Sequence, residues 1–378
     1  MLKNSKIISK PDIDHASPAM GKVAVINTKP ESIIDDYARL LDLANYKEAL
    51  ISNNKTLLKV NISWQHYYPA CSTAPWQIHG VGEKIIKDGY KEIIAAHNGT
   101  VVVDPEEGRY NNKHKLIEEK LGLKHIVLDQ PPTKWVKYRP KAELLVLDKV
   151  YEEDLQIPEV LLNTNIIHLP TVKTHVFTTM TGALKNAFGG LLHRNRHWTH
   201  SVIHETLVDL LQIQKEIHSG IFAVMDGTFA GDGPGPRAMR IHTPGLILAS
   251  ADQVAIDAIA AKLMGLDPME IPMIRLSHDK GLGIGNPKDI EIIGDDISQV
   301  NWRFKSKENT LASRGQKLIY HGPLKPIEKI LLRSFIAPWA FLASNIYHNK
   351  FWLPFIGKKR IKKAMKTSWG KLFKSYKY

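Results

Sequence analysis

From Lys22 to Ile293 short apolar runs rich in β-branched residues alternate with segments whose apolar residues recur at helical spacing. A chain with that alternation buries its strands in a parallel or mixed sheet and covers the sheet with helices. Lys22–Thr28 (KVAVINT) reads as a first strand, and Glu31–Leu50 as a helix with a stripe of Ile33, Ile34, Tyr37, Leu40, Leu41 and Ala44. Lys55–Ile62 is a second strand that carries Lys59 and Asn61 near its carboxyl end. Ala74–Asp88 reads as a helix capped by Gly89, Glu92–Ala96 as a strand ending before His97, Asn98 and Gly99, Asn112–Leu121 as a helix and Lys124–Leu128 as a strand. In the second half Glu143–Leu147, Val160–Leu169, Ile221–Met225, Gly245–Ser250 and Ile290–Ile293 have strand character, and Glu205–Ile217 and Asp252–Met264 have helical character. The expected fold class is α/β, a mixed or parallel sheet flanked by helices over residues 21–302. A disordered leader over 1–20 and a basic, aromatic helical tail over 303–378 complete the expected organisation.

Charge is unevenly placed. The net charge is +13, from 51 Lys and Arg against 38 Asp and Glu, but 18 of those basic residues and only Glu308 and Glu328 of the acids lie in 303–378. The rest of the chain is close to neutral, so attraction to a polyanionic surface belongs to the tail. Ile330–Tyr347 is apolar but broken by Arg333, Pro338 and Asn345, which argues against a membrane crossing. Beyond it Trp352, Phe355, Trp369, Phe373 and Tyr376 are interleaved with nine Lys and Arg. That pattern suits a segment lying in the membrane surface around 330–378, at the inner, cytoplasmic face. Docking of the tail on the body is the competing reading, and nucleic acid the least supported, since no recognised module is present.

Cys71 is the only cysteine, which excludes an intramolecular disulfide framework, a cysteine-rich zinc site and a four-thiolate iron–sulfur cluster encoded by the chain itself. The chemistry-bearing residues gather instead after the apolar run 160–169. Lys173, His175, Lys185 and Asn186 surround Gly182, Gly189 and Gly190, and His193, His197, His200 and His204 follow. Glycines that let backbone N–H groups approach a ligand, next to lysines, suit a phosphate or carboxylate. His193 and His197, like His200 and His204, are four apart, a spacing that on a helix puts each pair on one face. Arg194 and Arg196 oppose a cation there. The segment DGTFAGDGPGPR, Asp226–Arg237, holds two acids, four glycines and two prolines and reads as a site loop containing Asp226 and Asp232. Asp257, on a helix face of small residues, reads as a buried anchor or a pocket member.

The order of these motifs, KVN (59–61), LPTVKTH (169–175), TGALKNAFGG (181–190), DGTFAGDGPGP (226–236) and ADQVAIDAIAAKLMG (251–265), resembles the family catalogued as Domain of Unknown Function 362. The resemblance covers Lys22 to about Ile293 and implies an α/β fold with no agreed reaction. Many members resemble iron–sulfur proteins through an added cysteine cluster. This chain carries none, so an electron-transfer partner would be a separate subunit. A more distant similarity links His175, Lys185 and His200 to the nickel-pincer lactate racemase family. It implies that His175 and Lys185 face one pocket and makes His175 and His200 the metal candidates.

The expected function is therefore an enzyme or cofactor-dependent protein that binds a small anionic ligand at the membrane surface. Catalytic roles fall to His175 and Lys185. Ligand contacts fall to Lys59, Asn61, Lys173, Gly182, Asn186, Gly189, Gly190, Asp226 and Asp232. Which cofactor, if any, is used stays open. The alternative is a non-catalytic, membrane-recruited binding or assembly protein.

Overall fold

The computed structural model describes residues 7–9, 15–16, 18–99, 103–151, 153–192, 194–328, 331 and 345–378. Their larger sheet runs in the order β14 (Glu291–Gly294), β2 (Lys22–Asn27), β13 (Leu246–Ser250), β11 (His218–Asp232), β8 (Thr164–Leu169), β3 (Thr56–Val60), β4 (Ile93–His97) and β5 (Lys124–Val127). Strands β11, β8, β3, β4 and β5 are mutually parallel, whereas β13 runs antiparallel to both β11 and β2. The sheet is thus mixed. Strands β9 (Thr171–His175), β10 (Thr179–Met180) and β12 (Arg240–His242) extend it beside β11.

Successive strand residues point to opposite faces, which builds two cores. Val23, Val25 and Leu57 face one, packed under helices Ile203–Ile217 and Gln253–Leu263. Ala24, Ile26 and Leu58 face the other, under helices Ile33–Leu43 and Pro75–Lys87. The fold is α/β with helices on both faces.

Several boundaries depart from the sequence reading, each for a local reason. The helix expected over 31–50 stops at Leu43 and resumes at Tyr46, because Asn45 sits in the left-handed region at φ 48°. The strand expected at 143–147 is absent. The backbone N–H groups of Leu145, Val146 and Leu147 all donate to the buried Asp209 carboxylate, which leaves none of them for a ladder. A separate small sheet forms instead from β1 (Ile7–Ser9), β6 (Trp135–Arg139) and β7 (Leu155–Pro158). Ile7–Ser9 thus pairs in a sheet within the expected disordered leader, most of which lies outside the described residues. The strand expected to end at Met225 continues to Asp232, so only the last part of the expected site loop is a loop.

The tail lies against the body. Phe373 stacks on Tyr67 with centroids 3.7 Å apart, Trp369 lies 5.6 Å from Trp76, and Arg360 donates to the Met239 carbonyl at 2.6 Å. Trp352, Trp369 and Phe373, expected to meet lipid, are buried. Apolar contact with the body removes them from water, as the docking alternative required. The stretch Ile330–Tyr347 falls mostly outside the described residues. No helix of the described residues is long and apolar enough to cross a membrane.

Candidate functional site

Strands β3, β4 and β8 are parallel and end at the same edge, the place where open α/β sheets hold ligands. A cavity of about 320 Å³ opens there. Pro170 separates β8 from β9, and β9 carries the side chains of Lys173 and His175 on one face while Thr174 turns away to donate to the Gly233 carbonyl at 2.7 Å. A helical turn, Ala183–Asn186, follows. Its first N–H groups, those of Ala183 and Leu184, donate to the Asp257 carboxylate at 2.6 and 3.0 Å. Asp257 is therefore a buried anchor, its carboxyl pushed up to about 8 by burial. Gly182, at φ +134°, is the residue that permits the turn, because a Cβ there would lie 2.3 Å from Asp257 Oδ1. The anchored turn presents Lys185 to the cavity, with Nζ 5.1 Å from the Phe188 ring centroid.

Five cationic side chains line this cavity: Lys59, Lys173, Lys185, Arg196 and Arg237. No acidic side chain is among the lining residues, and among the described residues no ion pair neutralises any of the five. Four of them are held by neutral acceptors. Lys59 donates to the Val60 carbonyl at 2.9 Å, Lys173 to Thr171 Oγ1, Arg196 to the Gly99 carbonyl at 2.6 Å and Arg237 to the Ser63 carbonyl at 3.1 Å. Burial pushes Lys59 down to about 7, with Arg196 adding to the effect, and lowers Lys173 to about 8. Lys185 falls to about 8 through desolvation reinforced by Lys173 and Arg196. Asp129 offsets part of the cost for Lys59 and Arg196, and Asp226 for Lys173. Removing ammonium groups from water without a direct ion pair remains costly, and such a site gains from an anion that supplies the charge.

The His175 ring has one nitrogen committed. Nδ1 accepts the N–H groups of Phe177 at 3.2 Å and Thr178 at 3.3 Å, so the neutral ring carries its proton on Nε2, the nitrogen left for the cavity. Burial, with Lys185, His200 and Lys173 nearby, holds the ring well below its usual pKa. His175 thus presents a neutral Nε2–H to the cavity. His200 stacks on Tyr320 at 5.4 Å with Phe188 edge-on at 5.6 Å, and burial and Lys185 push it down to about 3. The lysine charge around both rings favours an anion over a cation.

The other candidates separate into two groups. Asn61, Gly182, Asn186 and Gly189 line the cavity, but Asn61 donates to the Cys71 carbonyl at 3.0 Å and Asn186 to the Lys59 carbonyl at 2.8 Å, so both amides hold the frame. Gly190 faces Leu128 rather than the cavity. Asp226 is buried in the opposite core, where it accepts from Tyr37 at 2.6 Å, Trp76 at 2.9 Å and Thr228 at 2.8 Å. Asp232 pairs with Arg240 at 2.8 Å and accepts the Lys305 N–H, which fixes β12 and the start of the tail. Neither acid lines the cavity. His200 and His204 do not share one helix, because Arg194–Val202 is a 3₁₀ segment and His204 lies on the helix Ile203–Ile217. His197 and His200 line the cavity, His204 turns away to accept the Met273 N–H, and His193 lies outside the described residues.

Sequence reasoning missed Arg196, Arg237, Asn98 and Tyr320 as cavity residues. Arg237 closes the run PGPR and could have been found there; Tyr320, on helix Leu311–Tyr320, belongs to the tail and carried no signal.

A family model described as a domain of unknown function (DUF362) matches residues 56–262. A thylakoid-associated protein of Synechocystis sp. is 30% identical over 130 residues, 34% of this chain and 40% of that protein. The matched part of this chain thus spans less than half the length of that relative. No solved structure matches the chain significantly.

Proposed function

The chain belongs to the DUF362 family, whose description names no reaction, and from its own pocket we propose an enzyme or cofactor-dependent protein that takes a small molecule bearing several negative charges. The observation that carries this reading is the convergence of five cations on one cavity without a lining carboxylate. In this scheme Lys173, Lys185, Arg196 and Arg237 hold phosphate or carboxylate oxygens. His175 donates its Nε2–H to a ligand oxygen, and Lys59, close to half-protonated at neutral pH, moves a proton.

The pH dependence of binding tests it. A bound anion favours the ammonium form and so raises the lysine pKa values. Below about 7 the free site is already charged and affinity is flat. Above about 8 each lysine that must take up a proton weakens binding about tenfold per pH unit. Titration with sulfate, whose own charge is constant over this range, is expected to show affinity falling steadily from pH 7 to pH 9 with proton uptake on binding. A flat or rising profile would remove the lysines from the site.

The same reading places the protein at a membrane surface. Phe351 and Phe355 are 58% and 67% exposed, and Lys350, Lys358, Lys359, Lys362 and Lys363 are exposed beside them in sequence. The relative is named for association with thylakoids, themselves membranes. Flotation with vesicles containing an acidic phospholipid is expected to carry the full chain and to fail for the Phe351→Ser, Phe355→Ser double variant. Equal flotation of both would contradict the membrane part.

A further inference from the structure

We propose that His97, Glu106 and His125 form a binding site for one divalent first-row transition ion, separate from the anion pocket. His97 ends β4, His125 lies on the adjacent β5, and Glu106 comes from helix Pro105–Asn111. Three elements of different origin thus bring a nitrogen, a nitrogen and a carboxylate oxygen to within 4.8 Å of one another. His97 Nδ1 and His125 Nε2 are 3.0 Å apart, and Glu106 Oε1 is 3.8 Å from His125 Nε2. Two imidazole nitrogens bound to a common ion at about 2.1 Å stand roughly 3.0 to 3.4 Å apart, as the coordination angle opens from a right angle to a tetrahedral one. The nitrogens are already at the lower end of that range. Glu106 is largely exposed and has room to bring its oxygen nearer.

The surroundings fit a ligand set. Glu106 Oε2 accepts from Arg109 at 3.1 Å, which orients the carboxylate and leaves Oε1 towards the histidines. The Arg109 charge, which alone would oppose a cation, is also met by Glu118. His97 is buried with its Nε2 unpartnered, so its ring makes its polar contact on the His125 side alone. Two imidazoles and one carboxylate suit Zn²⁺, Co²⁺ or Ni²⁺, with water completing the shell. The competing explanation is a single N–H···N hydrogen bond between two neutral rings.

Calorimetric titration of the metal-free full chain with Zn²⁺ separates the two, with Co²⁺ absorption reporting the coordination number. The expected result is one equivalent bound, weakened about 100-fold in His125→Ala and about tenfold in Glu106→Gln. Zn²⁺ should raise the melting temperature of the parent and not of His125→Ala. Glu106 is on the surface, so its variant keeps the fold even if a histidine variant does not. Absence of stoichiometric binding, or equal binding by the parent and both variants, would leave only the hydrogen bond. Sulfate binding at the pocket is a separate reading, and either proposal can fail without the other.

Discussion

Lys173→Met is expected to raise the melting temperature of the ligand-free protein while weakening anion binding. Lys173 is 2% exposed, and its ammonium donates to a neutral partner, Thr171 Oγ1. Its pKa falls from the usual lysine value of 10.5 to about 8, so keeping the charge at pH 7 costs on the order of 3 kcal/mol. The sign follows from linkage. A lysine with a depressed folded pKa binds fewer protons folded than unfolded between about 8 and 10.5, so its penalty is fully present below about 8 and is relieved as pH rises through that window. Methionine fills a similar volume without a charge. A gain of a few degrees is expected at pH 7, shrinking at pH 10, with at least tenfold weaker binding of an anionic probe. Loss of stability at pH 7 would mean that the ammonium is paired in a way that this geometry does not provide.

Gly182→Ala is expected to destabilise by on the order of 4 kcal/mol. The conformation at φ +134°, ψ −166° is open essentially to glycine alone, and a Cβ would meet the Asp257 carboxylate at 2.3 Å. Moving that carboxylate breaks its hydrogen bonds to Ala183 and Leu184, each about 1–3 kcal/mol when buried groups are left unpaired. Urea unfolding at neutral pH measures it. A change below about 1 kcal/mol would show that the turn holding Lys185 is soft.

Much of the fold was legible because many of its strands are short, predominantly apolar and buried on both faces, as at Val23–Ile26 and Leu57–Val60. What was hidden depended on distant side chains. The run Leu144–Leu147 has strand composition, yet Asp209 takes its N–H groups from 62 to 64 residues away. Asp226 looked like a strand-end site residue. It faces the opposite core, because β11 continues past it and Tyr37, Trp76 and Thr228 use its oxygens. In the pocket, the strand-end positions of Lys59 and Lys173 and the glycine turn before Lys185 could be read locally. Arg196 and Arg237 converge on the same cavity from a 3₁₀ segment and a proline loop, and no periodicity encodes that meeting. The tail was legible as basic and aromatic. Which of its aromatic residues face the body was not, since Trp352 and Phe355 differ in burial only through the docked helix geometry.

The most direct test is calorimetric titration of the full chain with inorganic pyrophosphate at pH 7, for the parent, Lys185→Met and the exposed-tail control Lys371→Met. One saturable site is expected, unchanged in the control and weakened by roughly 10- to 100-fold in Lys185→Met, the loss of one charge-assisted hydrogen bond. Absence of saturable binding by the parent, or equal affinity in Lys185→Met, would contradict the anion pocket.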